Sequence, residues 1–398
     1  MGIKIGNIDA SYYKIGSSDC TIYLGTTKLY PQSSPTHDYN QDYFTFVALD
    51  SSTFTVKGGD INYSLDSGIT WSTLSDGSST TTITSGNMVM WKGSYSGSTS
   101  TGGTVHFTSS GHFNAQGNTM SLLYGDDFKD KTSLGSSIWT FNSLFSGATS
   151  LVSAENMILP ATTLTQRCYN QLFYQCTSLT KIPKLPATTL GDTSYGNMFK
   201  SCTSLETVPQ NMFSAVTTTA ARCFANTFWE SGIKNLPTLP NASLSVQCYS
   251  GTFAGCTGLT TIPSNYLPAT TIENNCYYAM FSGCTSLDTV PSDLLPATTL
   301  KTRCYALMFC GCTSLVTAPN LPAMTVASSG CYNQLFDGCS KLNYIKAMFT
   351  TTPSSTYMNN WVRGVASTGT YVMNSSASYT TRGNSAIPNN WTIQKASS

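Results

Sequence analysis

Between residues 139 and 349 the apolar positions recur in one arrangement about eight times. The best-kept copies are CYNQLFYQCTSLTKIPKLPATTL from Cys168, CYYAMFSGCTSLDTVP from Cys276, CYALMFCGCTSLVTAP from Cys304 and CYNQLFDGCSKLNYI from Cys331. One apolar residue marks the register: Leu151, Leu179, Leu205, Ile233, Leu259, Leu287, Leu315 and Leu342, spaced 26 to 28 residues apart. A fixed period of this size predicts a solenoid, in which each unit buries its apolar side only against its neighbours. Within a unit, Cys168, Leu172, Phe173 and Cys176 fall at i, i+4, i+5 and i+8, which predicts a short helix with one buried face. SLTKIP is predicted as a strand ended by its proline, and LPATTL as a second extended segment.

Outside the repeats the pattern changes. Residues 39–130 carry short alternating runs, among them YFTFVAL, TFTVKG, INYSL, NMVMWKG and TVHFTS, separated by Gly, Ser, Asp and Asn. They predict a small β-sandwich-like domain. Residues 1–38 form a separate piece too small to bury a core. Ile3, Ile5, Tyr12, Tyr13, Ile22 and Tyr23 give it apolar side chains, so it is expected either to pack as an edge hairpin of the next domain or to anchor the chain by β-addition to a partner. Residues 353–398, with Trp361, Tyr371 and Trp391, are expected to cap the last repeat. The predicted fold class is mainly β with short helices: a small N-terminal β-sandwich-like domain, then a leucine-rich-repeat-type solenoid of about eight units over 131–352.

Composition narrows the function. Only 10% of the 398 residues are charged and the net charge is +1, against roughly 25% charged in ordinary domains. No basic stripe appears, so nucleic acid is not expected as a partner. No stretch approaches the ~18 apolar residues of a membrane span. The opening MGIKIGNIDASYYKIG lacks a charged segment followed by an apolar one, so no leader is expected.

Fourteen cysteines would suit a secreted disulfide scaffold, but their spacing does not. Pairs such as Cys168 and Cys176 lie eight residues apart, about 12 Å along a helix, whereas a disulfide holds Cα atoms roughly 4.4–6.8 Å apart. Ser194 and Ser231 each replace one member of a pair while Cys202 and Cys223 remain. The cysteines are therefore expected to be buried free thiols acting as small apolar residues. Zinc needs short-spaced Cys or His; only Cys310 and Cys312 come close, and the histidines are at 37, 106 and 112. No metal and no cofactor are expected.

Candidate binding positions are those that vary while the apolar frame stays. Thr180, Lys181, Glu206, Thr261 and Asp288 lie on the predicted strands, and Trp229 and Tyr278 offer rings for stacking. A solvated face is the plainer account of all of them. The acids are scattered over non-equivalent repeat positions and no catalytic motif appears, so no catalytic residue is assigned. Asp126 and Asp127 in YGDDFKD are expected as turn and cap residues rather than a cation pair.

Three segments resemble known families. The repeat resembles leucine-rich repeats of the BspA or Treponema type, over more than half the chain, although C-Y-x-x-[LM]-F stands where that form has A-F and no Asn ladder is read in it. Ser64, Asp66, Gly68, Thr70 and Trp71 match S-x-D-x-G-x-T-W, which resembles the Asp-box of sialidases; that resemblance implies a structural hairpin whose Asp and Ser hold turn amides. The C-terminal GTYVMNSSASYTTRGNSAIPNNWTI is similar to endings on such repeats in Bacteroidetes surface proteins and their phages, and TIYLGTTKLYP resembles segments of crAss-like phage virion proteins.

These resemblances imply a bacteriophage virion appendage, a head or tail fibre or receptor-binding protein, made in bacterial cytoplasm where free thiols persist. Its expected partners are other virion proteins through the N-terminal region and a host surface glycan or protein, with the chain a homo-oligomer. The alternatives are a bacterial cell-surface adhesin of the same repeat family and, from the Asp-box alone, a glycan-processing enzyme.

Overall fold

The computed structural model describes residues 37–93, 105–240 and 242–397, together with the backbone of two N-terminal strands. The chain divides into two compact units, Met1–Tyr39 and Asn40–Ser398. In the first, β1 (Ile22–Leu24) pairs antiparallel with β2 (Thr27–Tyr30), Tyr23 opposite Lys28. Ile3, Ile5, Tyr12 and Tyr13 lie outside the described residues.

The second unit is mainly β with very little helix. Its first part holds β3 (Phe44–Ala48), β4 (Phe54–Lys57), β5 (Ile61–Ser64), β6 (Ser72–Leu74), β7 (Met88–Lys92), β8 (His106–Ser109) and β9 (Phe113–Asn118), then a single helical turn, α1 (Ser121–Tyr124). A six-stranded sheet runs β10-β9-β3-β7-β5-β6, where β10 is Leu151–Ile158, and β4 pairs with β8. Alternation along β3 buries Phe44, Phe46 and Ala48. Phe46 meets Phe54, Trp91, Phe107, Phe113 and Phe145 at 4.9–5.6 Å between ring centres, so rings from both sheets share one cluster. Because β10 is the first extended segment of the repeats and pairs parallel with β9, one core continues from Phe44 to Trp391.

The repeats are not helical where a helix was expected. Residues 168–175 form consecutive turns, as do the equivalent segments of the other units. Even-numbered amides here bond backwards by three residues (Asn170 to Arg167, Leu172 to Tyr169, Tyr174 to Gln171), while the odd-numbered amides of Tyr169, Gln171, Phe173 and Gln175 donate to Ser194, Gly196, Met198 and Lys200 of the next unit. Every fourth residue takes a positive φ: Arg167, Gln171 and Gln175 in one unit, Asn275, Ala279 and Gly283 in another. A four-residue period aligns i, i+4 and i+8 as a helix nearly does, which is why the apolar pattern suited both.

The physical difference is where the hydrogen bonds go. A helix closes its own ladder, whereas half of this one belongs to the neighbour. A left-handed L-residue costs roughly 1–2 kcal/mol, so a unit holds this shape only when its neighbour accepts those bonds.

The strands also differ from expectation. SLTKIP and its equivalents make single bridges, such as Ser153 to Lys181, Thr261 to Thr289 and Thr317 to Tyr344. Among the described residues, parallel ladders occur at β9–β10 and at the far end, where β11 (Tyr344–Ala347), β12 (Thr370–Met373) and β13 (Thr392–Lys395) pair. Prolines such as Pro183, Pro263 and Pro291 interrupt the intervening segments and supply no amide.

Two aromatic columns run through the stack. Phe145, Phe173, Phe199, Phe228, Phe253, Phe281, Phe309 and Phe336 lie 5.4–6.0 Å apart, nearly parallel. Trp361 ends the column, 6.1 Å from Phe336 and tilted by 50°. Its indole donates to the Ala386 carbonyl, and that of Trp391 to the Ala366 carbonyl, at 2.8 Å each, so both tail tryptophans are buried with their N–H groups satisfied. The second column holds Tyr249, Tyr277, Tyr305 and Tyr332 at 5.9–6.1 Å.

Candidate functional site

The strand positions singled out in the sequence lie on exposed backbone. Thr180, Lys181, Glu206, Thr261 and Asp288 are all exposed. Lys181 and Glu206 find partners in adjacent units: Lys181 Nζ is 2.9 Å from Glu155, and Lys234 Nζ is 2.7 Å from Glu206. The Thr180 hydroxyl donates to the Val152 carbonyl at 3.1 Å. Asp288 accepts from the Thr289 hydroxyl, and Thr289 bridges to Thr261. Each exposed ion pair is worth about 0–1 kcal/mol, so their effect is to set side-chain positions more than to hold the units together.

Trp229 and Tyr278 are not part of that strip. Both are half-buried and belong to the turn segments. Lys200 Nζ lies 4.5 Å over the Trp229 ring and 6.0 Å from that of Tyr174. A Cβ on Gly251 would meet the Trp229 ring at 3.2 Å. One face of that indole therefore carries a cation, and Gly251 of the next unit lies close beside the ring. The Tyr278 carbonyl accepts from Gly251.

Two features of the repeats are not evident from the sequence. Asn170 donates to Asn142 at 2.7 Å, Asn197 to Asn170 at 3.2 Å and Asn226 to Asn197 at 3.3 Å, so the first units do carry an Asn ladder. It was hidden because its rungs shift by one position between Asn170 and Asn197, and it stops where Gly251 succeeds Asn226. The second feature is the near-buried carboxylate of Asp337, which Arg363 grips through Nε at 2.8 Å and through its terminal nitrogen.

The thiols form a third column. Cys176, Cys202, Cys256, Cys284, Cys312 and Cys339 each donate S–H to the carbonyl of a phenylalanine one unit back, at 3.0–3.2 Å. Ser231 takes the same position in its own unit and lies 3.6 Å from the Cys256 sulfur. All thirteen described cysteines are free, and twelve are buried. The expectation of free thiols holds, although turns rather than a helix separate the pairs. Burial pushes the thiols of Cys168, Cys276 and Cys304 up to about 12, which removes the reactive thiolate at neutral pH.

In native protein iodoacetamide is therefore expected to label half-buried Cys310 well before the other described cysteines, and to reach those only on unfolding without reductant. Peptide mass spectrometry checks this. A Cys168–Cys176 disulfide peptide would contradict it.

The Asp-box residues meet in one turn. Asp66 accepts from the Thr70 hydroxyl at 2.6 Å, the Thr70 amide at 2.9 Å and the Ser64 hydroxyl at 2.7 Å. These bonds, that from the Thr70 hydroxyl first, lower its pKa to about 2. Gly68, with φ +86°, donates its amide to Ser64 at 2.9 Å. Trp71 donates its indole N–H to the Gly68 carbonyl and lies between Lys92, 4.2 Å above its ring, and Tyr43 at 4.9 Å. Asp126 then joins Lys92 (2.8 Å) to the Tyr43 hydroxyl (2.6 Å), so it is a tie between strands as well as a turn residue. Every polar group of the box is thus spent on its own fold.

Among the described residues no three His, Cys, Asp or Glu side chains converge as metal ligands would, and no helix is long and apolar enough to cross a membrane. No protein-family model, curated protein or solved structure matches this chain.

Proposed function

We propose that this chain is a non-catalytic appendage of a bacteriophage particle, and that its repeats form a BspA-type leucine-rich-repeat solenoid that presents a contact surface. The observation that carries this reading is the exposed strip of Thr180, Lys181, Glu206, Thr261 and Asp288 on a backbone bonded unit to unit. Such a strip can change its side chains without disturbing the columns behind it, which suits recognition. The pairing of β1 with β2 supports an anchoring role for residues 1–38, because a partner's strand can add to such a ribbon.

The test uses the separation of the two units. Removing residues 1–38 should leave residues 39–398 folded with an unchanged melting temperature, and should abolish incorporation into particles, read by immunoblot of purified virions and cryo-electron microscopy. Incorporation of the truncated chain, or recovery of the full chain only from the bacterial envelope, would overturn the proposal.

A further inference from the structure

We infer that a cleft beside the Asp-box turn binds a neutral saccharide. The cleft lies between Ser64–Ser67 and residues 82–90, half open to solvent, with a volume of about 340 Å³, within the size range of small-ligand sites. It is independent of the exposed strip discussed above.

Its walls are formed before any ligand arrives. On one side, Ser64 bonds the Asp66 carboxylate and the Gly68 amide. On the other, Ile83 exchanges backbone bonds with Ser52 in both directions, Gly86 donates to Ala48, and Ala48 donates to Asn87. The Asn87 amide side chain donates to the Thr84 hydroxyl at 2.6 Å, which leaves that hydroxyl's own proton to be donated.

The lining selects the ligand class. Ser67, Thr82, Thr84 and Asn87 are exposed and present hydroxyl and amide groups, while Leu65 and Met88 are 48% and 40% exposed and give apolar surface beside them. A pyranose needs this pairing, with C–H faces against apolar groups and ring hydroxyls against polar ones. No lining residue is charged. The flanking charges are committed elsewhere, Asp66 to Thr70 and Ser64, Lys92 to Asp126. An anion or a cation would therefore find no counter-charge. A peptide strand would need a run of open backbone groups, and both groups of Ile83 and Asn87, the Gly86 N–H and the Thr84 carbonyl are bonded within the fold.

Methyl-labelled methionine NMR tests this, with galactose, glucose, mannose and N-acetylglucosamine as neutral probes, and N-acetylneuraminic acid and trialanine as controls. At least one neutral sugar should shift the Met88 and Met90 methyls saturably. Met88→Arg should weaken that binding by about tenfold or more with the melting temperature unchanged. Should Met88→Arg fold poorly, Thr84→Val removes one hydroxyl without changing shape and should weaken binding in the same direction. No response to any neutral sugar, a response only to the acid or the peptide, or full affinity in the folded variants would overturn the assignment.

Discussion

Phe281→Ala is expected to destabilise the repeats by about 3–5 kcal/mol. Phe281 is fully buried, and its ring stacks 5.6 Å from Phe253 and 6.0 Å from Phe309. Truncation removes a ring from the middle of a column with no other side chain placed to fill the gap. The effect should also spread to both neighbouring units. The Phe253 amide donates to Met280, and the Phe281 amide to Met308, so loosening one unit releases bonds on both sides of it. Urea unfolding measures the loss, and hydrogen exchange should show faster exchange at Phe253 and Phe281 first. A variant as stable as the parent would mean that the column does not couple the units.

Gly117→Ala should be about as damaging, at about 3 kcal/mol or more, for a different reason. Gly117 has φ +78°, and a Cβ there would lie 2.1 Å from the Tyr43 carbonyl oxygen and 2.9 Å from its carbon. Backbone cannot swing aside as a side chain can. Tyr43 also carries Trp71 and Asp126, so displacing it disturbs the Asp-box turn as well. Gly77→Ala is the control: its φ is +74°, but nothing lies within 4 Å of the added carbon. It should cost only the left-handed strain, about 1–2 kcal/mol. Equal losses in the two variants, followed by tryptophan fluorescence in urea, would show that the contact with Tyr43 is unimportant.

The same apolar pattern explains what was legible in advance and what was not. Leu179, Leu205, Leu287 and Leu315 recur at a near-constant interval, and a side chain that must be buried at each recurrence can be buried only by stacking. Cys168 and Cys176 could likewise be recognised as buried thiols, because Ser194 and Ser231 replace single members of such pairs. The turn geometry was less visible, since apolar spacing records which side chains point inward and not which carbonyl each amide meets. A clue was present in Gly251 and Gly255, and again in the recurring Gly283, Gly311 and Gly338, which mark left-handed positions. Elsewhere Arg167, Gln171 and Asn275 take that conformation, and nothing in their chemistry announces it.

The period, the buried set, the mainly β character and the burial of the tail tryptophans could be read from the chain alone, because each follows from burial or from the chemistry of one residue type. The rest came from the packing of one segment on another. It split Trp229 and Tyr278 from the strip of Thr180, Lys181, Glu206, Thr261 and Asp288, continued the β10 strand into the N-terminal sheet, built the Asn ladder, and opened the cleft between Ser67 and Thr84. Each of these depends on how far one unit is displaced against the next, or one loop against another. That displacement is set by hydrogen bonds between residues distant in the chain, to which a local pattern of polar and apolar positions is blind.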